Sequence, residues 1–107
     1  MYYKLDENKS VIPSSLEEWS NLTEGTLPAN FKHVGNEIVN GNRISTVFIG
    51  MCFDFMNNGI PLVFETMIFD ENGSSCYQDR YSTWKEAEEG HQYAIELVKH
   101  KNLAINK

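Results

Sequence analysis

Three side chains in this sequence are of types that together could hold an anion or move a proton: Glu65, Arg80 and His91. Glu65 stands inside the run Leu62-Val63-Phe64-Glu65-Thr66-Met67-Ile68-Phe69, which is otherwise apolar except for Thr66. A carboxylate among such neighbours is costly unless a partner charge and hydrogen bonds meet it. The dipeptide Asn72-Gly73 predicts a two-residue hairpin turn, across which opposing residue numbers sum to a constant. That register sets Glu65 against Arg80, Thr66 against Asp79 and Phe64 against Tyr81, and a slip of one residue would turn every pair to the wrong face. Arg80 offers a forked donor set suited to a carboxylate or phosphate. His91 falls on the apolar face of the helix that follows, so Glu65, Arg80 and His91 are expected to converge where sheet meets helix, with Tyr81 beside them.

Two readings of this group stand side by side. As a ligand site, Arg80 grips an anionic group, Glu65 orients it, His91 donates a hydrogen bond and Tyr81 supplies an aromatic face. As structure, Glu65 and Arg80 form a cross-strand pair and His91 is a satisfied core histidine. A reading as a small phosphodiester hydrolase would make His91 a general acid or base oriented by Glu65, but no nucleophile or metal set accompanies it. Asp54, in the loop 52–61, reads either as a ligand contact or as a surface acid. Tyr77, Tyr81 and Trp84 read as stacking faces or as core. Cys52 and Cys76 lack zinc spacing and read as small buried hydrophobes. No phosphate-loop, dinucleotide, nucleophile-elbow or His-Glu-x-x-His fingerprint is present, so no catalytic residue, metal or cofactor is expected.

The elements that must carry these groups follow from periodicity. Tyr2 to Leu5 alternates and predicts a short edge strand. Pro13-Ser14-Ser15 predicts the start of a helix, Leu16 to Leu22, with Ser15 and Glu18 as a capping box. Gly25 and Pro28 end it. Runs Phe31–Val39 and Asn42–Met51 flank Asn40-Gly41, a strong type I′ hairpin signal. The β-branched stretch Ile44-Ser45-Thr46-Val47-Phe48-Ile49-Gly50 predicts a central strand. After the run from Leu62 and the strand Cys76–Tyr81, Thr83 and Glu86 cap a last helix. Its buried face is Trp84, Ala87, His91, Ala94, Ile95 and Val98, and small residues at Ala87, Gly90 and Ala94 let it lie close to the sheet. Glu86, Glu88 and Glu89 near its start, with Lys99, His100 and Lys101 near its end, complement its dipole. No internal repeat, low-complexity block or linker is apparent. The expected fold is α+β: one domain over residues 1–107, an antiparallel sheet of about four to five strands in two hairpins, packed on a C-terminal helix, with a short N-terminal helix.

Composition sets the outer limits. A chain of 107 residues with 41% hydrophobic side chains buries roughly 65% of its unfolded surface, enough for one core without staples. Fifteen acidic against nine basic residues give a formal charge of −6, and only two arginines, Arg43 and Arg80, are present. Phosphate-backbone binding needs clustered cations, so direct nucleic-acid binding is not expected. The start of the sequence lacks the blocks of a signal peptide, and no apolar run reaches the ~20 residues of a membrane span. The expected location is a cytoplasm with both thiols reduced.

From Ser45 to His91 the chain resembles a family of small uncharacterised bacteriophage and prophage proteins. The resemblance is carried by Ser45-Thr46-Val47-Phe48-Ile49-Gly50, by Pro61-Leu62-Val63-Phe64-Glu65-Thr66-Met67-Ile68-Phe69, by Tyr77-Gln78-Asp79-Arg80-Tyr81-Ser82-Thr83-Trp84 and by Glu86-Ala87-Glu88-Glu89-Gly90-His91. The front end, with Leu16-Glu17-Glu18-Trp19, is similar in outline. Members commonly carry an Asp-His pair after the strand glycine, and Cys52-Phe53 stands there instead, which weakens any metal or acid–base role at that place. The resemblance implies expression in a host bacterial cytoplasm and an accessory, non-enzymatic role against host defence. Its concrete form is sequestration of a nucleotide-like signalling ligand near Glu65, Arg80, Tyr81 and His91; because a domain this small offers little concave volume alone, the chain is expected to assemble as a homo-oligomer. The alternative is an acidic inhibitor that covers a basic surface of a host nuclease or other defence protein with Glu86, Glu88 and Glu89, helped by Glu17, Glu18 and Glu24.

Overall fold

Asn40 and Gly41 both have positive φ, 52° and 82°, the conformation of a type I′ turn. They join strands His33–Val39 and Asn42–Phe48, which pair antiparallel with Val39 opposite Asn42. In this computed structural model, which describes residues 2–18, 33–51 and 60–101, the strands in chain order are β1 (Tyr2–Leu5), β2 (Val11–Ser14), β3 (His33–Val39), β4 (Asn42–Phe48), β5 (Phe64–Phe69) and β6 (Ser75–Tyr81), followed by helix α1 (Trp84–Lys101). Strands β3 to β6 form a four-stranded antiparallel sheet in chain order, and β1 and β2 form a separate hairpin. The α+β class read from the sequence is the fold.

Alternation along β4 and β5 fixes which face α1 covers. Ile44, Thr46 and Phe48 on β4, with Phe64, Thr66 and Ile68 on β5, are buried, and the residues between them are half-buried or exposed. Ile44 and Ile68 pack with Ala94, Ile95 and Val98 of the helix. Phe48, Val63, Phe64, Tyr81 and Ala87 form a second cluster, on which Tyr3, Leu5, Val11 and Trp84 lean. Tyr81 lies against Gly90, where a Cβ would overlap its ring. The small residues of α1 thus set the helix–sheet spacing, as the sequence suggested.

The last hairpin reaches its expected register by an unexpected route. Glu65 opposes Arg80, Thr66 opposes Asp79 and Phe64 opposes Tyr81. The turn, however, is a three-residue loop closed by Asp70 and Ser74, with Gly73 at φ 85°. The frame shifts back where the ladder breaks between Ile68 and Phe69, leaving Cys76 as an unpaired bulge. Cys76 is therefore exposed rather than buried.

The N-terminal hairpin corrects the reading of Pro13 as a helix opener. Pro13 lies opposite Tyr3 in β2, and an edge strand tolerates its missing N–H. The hairpin is closed by the same device as the last one. Asp6 accepts from the backbone N–H of Asn8 (2.8 Å) and Ser10 (2.9 Å), and Asp70 accepts from Asn72 (2.9 Å) and Ser74 (3.0 Å). Asp6-Glu7-Asn8-Lys9-Ser10 and Asp70-Glu71-Asn72-Gly73-Ser74 differ at one position, so the chain does contain a short repeat. Lys9 takes the left-handed backbone, φ 65°, that Gly73 occupies in its twin. Residues 16–18 are helical, with the Glu18 N–H on the Ser15 hydroxyl at 3.0 Å. The Glu18 carboxylate turns to Lys4 (2.5 Å) and Ser14 (3.1 Å), tying the helix start to β1 and β2. The rest of the predicted first helix, Phe31, Cys52, Asp54 and Glu24 lie outside the described residues.

Candidate functional site

The expected convergence of Glu65, Arg80 and His91 does not occur. Glu65 and Arg80 do meet, with Arg80 Nε 3.3 Å from the carboxylate, and Gln78 adds a short hydrogen bond to the same oxygen. Both belong to the sheet face turned away from α1, because Thr66, the next residue along β5, is the one beneath the helix. His91 and Tyr81 lie on the helix side. Strand periodicity cannot place Glu65 and a helix-facing Thr66 on one surface, so the four residues divide into two pairs.

His91 has other partners. Its Nδ1 is 2.7 Å from the Thr46 hydroxyl, which is 2.5 Å from the Thr66 hydroxyl. Its Nε2 meets the Glu37 carboxylate in a short contact. Thr46 and Thr66 face each other across β4 and β5, and Gly35 lies opposite Thr46 on β3. A Cβ on Gly35 would overlap the imidazole, so that glycine makes the space His91 fills. With a single ring proton, the proton bookkeeping gives one direction along the chain. A carboxylate only accepts, so Nε2–H donates to Glu37. In that tautomer Nδ1 accepts from Thr46, and Thr46 accepts from Thr66. The Tyr81 hydroxyl lies near enough to Thr66 for that residue to oppose the upward push that burial gives its pKa, yet it completes no hydrogen bond of normal geometry.

Hydroxyl, imidazole and carboxylate in this order have the composition of a nucleophilic triad. The hydroxyl is sealed, however: Thr46 is 0% exposed and Thr66 is 0% exposed. The network reaches solvent only at Glu37 and the edge of His91. There a hollow of about 340 Å³ is lined by Val34, Gly35, Glu37, Glu88, His91 and Gln92. Its charged residues are acidic, so it is a poor seat for a phosphate.

A larger cleft, about 650 Å³, opens between the N-terminal hairpin and the start of α1. Tyr3, Val11 and Trp84 give it aromatic and apolar walls, and Lys9, Lys85 and Glu88 are its charged residues. Lys9 Nζ sits 4.5 Å from the Trp84 ring centroid, a cation–π contact. Phe64 meets the Trp84 ring in a T-shaped contact at 6.1 Å, and the indole N–H is buried without a partner. At the helix start, the Glu86 N–H donates to Thr83 Oγ1 at 3.1 Å, and the Glu86 carboxylate accepts from Ser82 N–H and Oγ. The Ser82 hydrogen bonds hold the Glu86 carboxyl below its ordinary value. Glu86 is thus engaged in the cap, and of the three helix-start acids only Glu88 and Glu89 project freely into solvent.

Tyr77 and Cys76 are both held away from their ionised forms. Burial, then Tyr81, Asp79 and Tyr93, push Tyr77 up to about 12. Partial burial and Asp70 raise the Cys76 thiol, away from a reactive thiolate. Among the described residues no group of three His, Cys, Asp or Glu could hold a metal ion, and no helix is long and apolar enough to cross a membrane. Sequence reasoning missed Lys9, Lys85 and Glu37, and the repeated Asp-Glu-Asn-x-Ser segment was the available signal for Lys9. The chain matches no protein-family model, no curated protein and no solved structure.

Proposed function

We propose that this chain is a non-enzymatic accessory protein of the bacteriophage kind that binds and sequesters a nucleotide-like signalling ligand of host defence. The observation that carries the reading is the cleft between the N-terminal hairpin and α1, where Trp84 and Tyr3 stand beside Lys9 and Lys85. An aromatic wall with adjacent cations suits a planar base bearing a phosphate. Its volume lies in the range of small-ligand sites. The resemblance of Ser45–His91 to small phage proteins supplies the biological setting. Sealing of the Thr46 hydroxyl beneath α1 supports binding over turnover, because the hydroxyl bonded to His91 has no route to a substrate.

Thermal unfolding with a panel of cyclic and ADP-ribose nucleotides tests this. A ligand at a hundredfold excess over its Kd stabilises by about 2.7 kcal/mol, raising the Tm of a chain this size by roughly 10 °C. Sedimentation of the same samples measures the expected self-association. No shift with any nucleotide at millimolar concentration would remove the proposal.

A further inference from the structure

We infer that the ligand's planar ring stacks on the Trp84 face now covered by Lys9, while its anionic group is held by Lys9 and Lys85 at the start of α1. This rests on the binding function proposed above and names its site and mode. Four observations lead to it. Lys9 Nζ lies over the indole at 4.5 Å, a placeholder that a nucleobase can outcompete, because ring-on-ring stacking generally exceeds an exposed cation–π contact. Lys9 reaches that place from a left-handed backbone that the twin loop gives to glycine, so its displaced ammonium stays tethered at the cleft mouth. The cap uses the Glu86 and Ser82 N–H groups, leaving the Trp84 and Lys85 N–H groups, at the first turn, without intrahelical acceptors. Tyr3 and Val11 line the same cleft with aromatic and apolar surface. Glu88 is the acid lining the cleft and opposes an anion, limiting affinity without blocking the site.

The exchange of Lys9 from ring to phosphate has a signature that few other arrangements share. Calorimetric titration of the full chain with ADP-ribose, 3′,5′-cyclic AMP, adenosine and inorganic phosphate reads it. Lys9→Gln removes both the phosphate contact and the cover on the ring. It is expected to weaken the phosphate-bearing nucleotides about tenfold, the loss of one charge-assisted hydrogen bond, and to tighten adenosine. Lys85→Gln weakens only the phosphate-bearing probes, Glu88→Gln tightens them, and Arg80→Gln, on the far sheet face, leaves all unchanged. Lys9, Lys85 and Glu88 are exposed, so these variants keep the fold. If a nucleotide binds the parent chain but Lys9→Gln and Lys85→Gln change its affinity by less than twofold, the site is wrong and the binding function stands. Inorganic phosphate binding as tightly as the nucleotides overturns the stacking. If none of the probes binds the parent chain, both this inference and the binding function fall.

Discussion

Replacing Thr46 by Val tests whether the polar chain under α1 is a structural element. The side chain keeps its shape and loses one hydroxyl. That hydroxyl lies 2.7 Å from His91 Nδ1 and 2.5 Å from Thr66 Oγ1, with no solvent access. Two buried neutral groups are then left without their partner, at about 1–2 kcal/mol each, the lower part of the usual penalty. The expected loss is about 2–4 kcal/mol, a large share of the ~5–15 kcal/mol that holds a small domain. Urea unfolding with a slope near ~1.5 kcal/mol/M should show the midpoint falling by roughly 2 M at unchanged slope. Adding Thr66→Val removes the stranded hydroxyl, so the double variant should be no less stable than Thr46→Val and should regain about 1 kcal/mol. A loss below about 0.5 kcal/mol for the single variant, or simple additivity in the double, would refute the hydrogen-bonded chain as described.

The remaining predictions concern backbone, packing and pH. Gly73 has φ 85° and open space where a Cβ would go, so Gly73→Ala should cost about 1–2 kcal/mol in chemical unfolding from conformation alone; Lys9→Gly at the twin position should be near neutral, the relief offset by the lost cation–π contact. Gly90→Ala should destabilise by roughly 1–3 kcal/mol, although helix propensity alone would favour it by ~1 kcal/mol, because the new methyl overlaps the buried Tyr81 ring; a rise in Tm would show that the ring moves freely. The carboxyls of Glu18, held by Lys4 and Ser14, and Glu86, held by Ser82, lie below the ordinary 4.5. Their stabilisation is therefore complete above that value and is lost as pH falls through their folded values, so an acid titration of unfolding midpoints should steepen below about pH 4.5 and flatten in Glu86→Gln.

Much of the sheet was legible because local chemistry and global pairing agree. Asn40-Gly41 marks its hairpin by the φ values those residues tolerate, and the β4 alternation and the α1 apolar stripe are unambiguous. The pairing of Glu65 with Arg80 was also legible, although the turn that produces it is a residue longer than Asn72-Gly73 suggested. The face of Glu65 was not, since β5 is apolar on both sides and offers no contrast to orient it. Only its neighbour β4, where Ile44, Thr46 and Phe48 alternate with Arg43, Ser45 and Val47, could have settled that Thr66 turns inward. The N-terminal hairpin escaped because Pro13-Ser14-Ser15 reads as a helix entry. The cleft depends on Lys9 meeting Trp84 across 75 positions of sequence, a contact no local pattern announces.

The bulge at Cys76 gives one corner of the sheet slack. The same residues could close as a two-residue Asn72-Gly73 turn with no bulge, and every pair from Ile68–Tyr77 onward would be unchanged. The hairpin tip is thus a slip joint: a change of turn type, or removal of Cys76 itself, is absorbed before it reaches Glu65, Thr66 or Tyr81. The amino-terminal hairpin has no such play, since its ladder runs unbroken from Leu5–Val11 to Tyr2–Ser14. Losing one residue between Asp6 and Ser10 would only shorten the loop to two, but losing one within β2 has no bulge to take it up and turns every later residue to the other face, so two hairpins whose loops have nearly the same spelling differ in the length changes their strands tolerate.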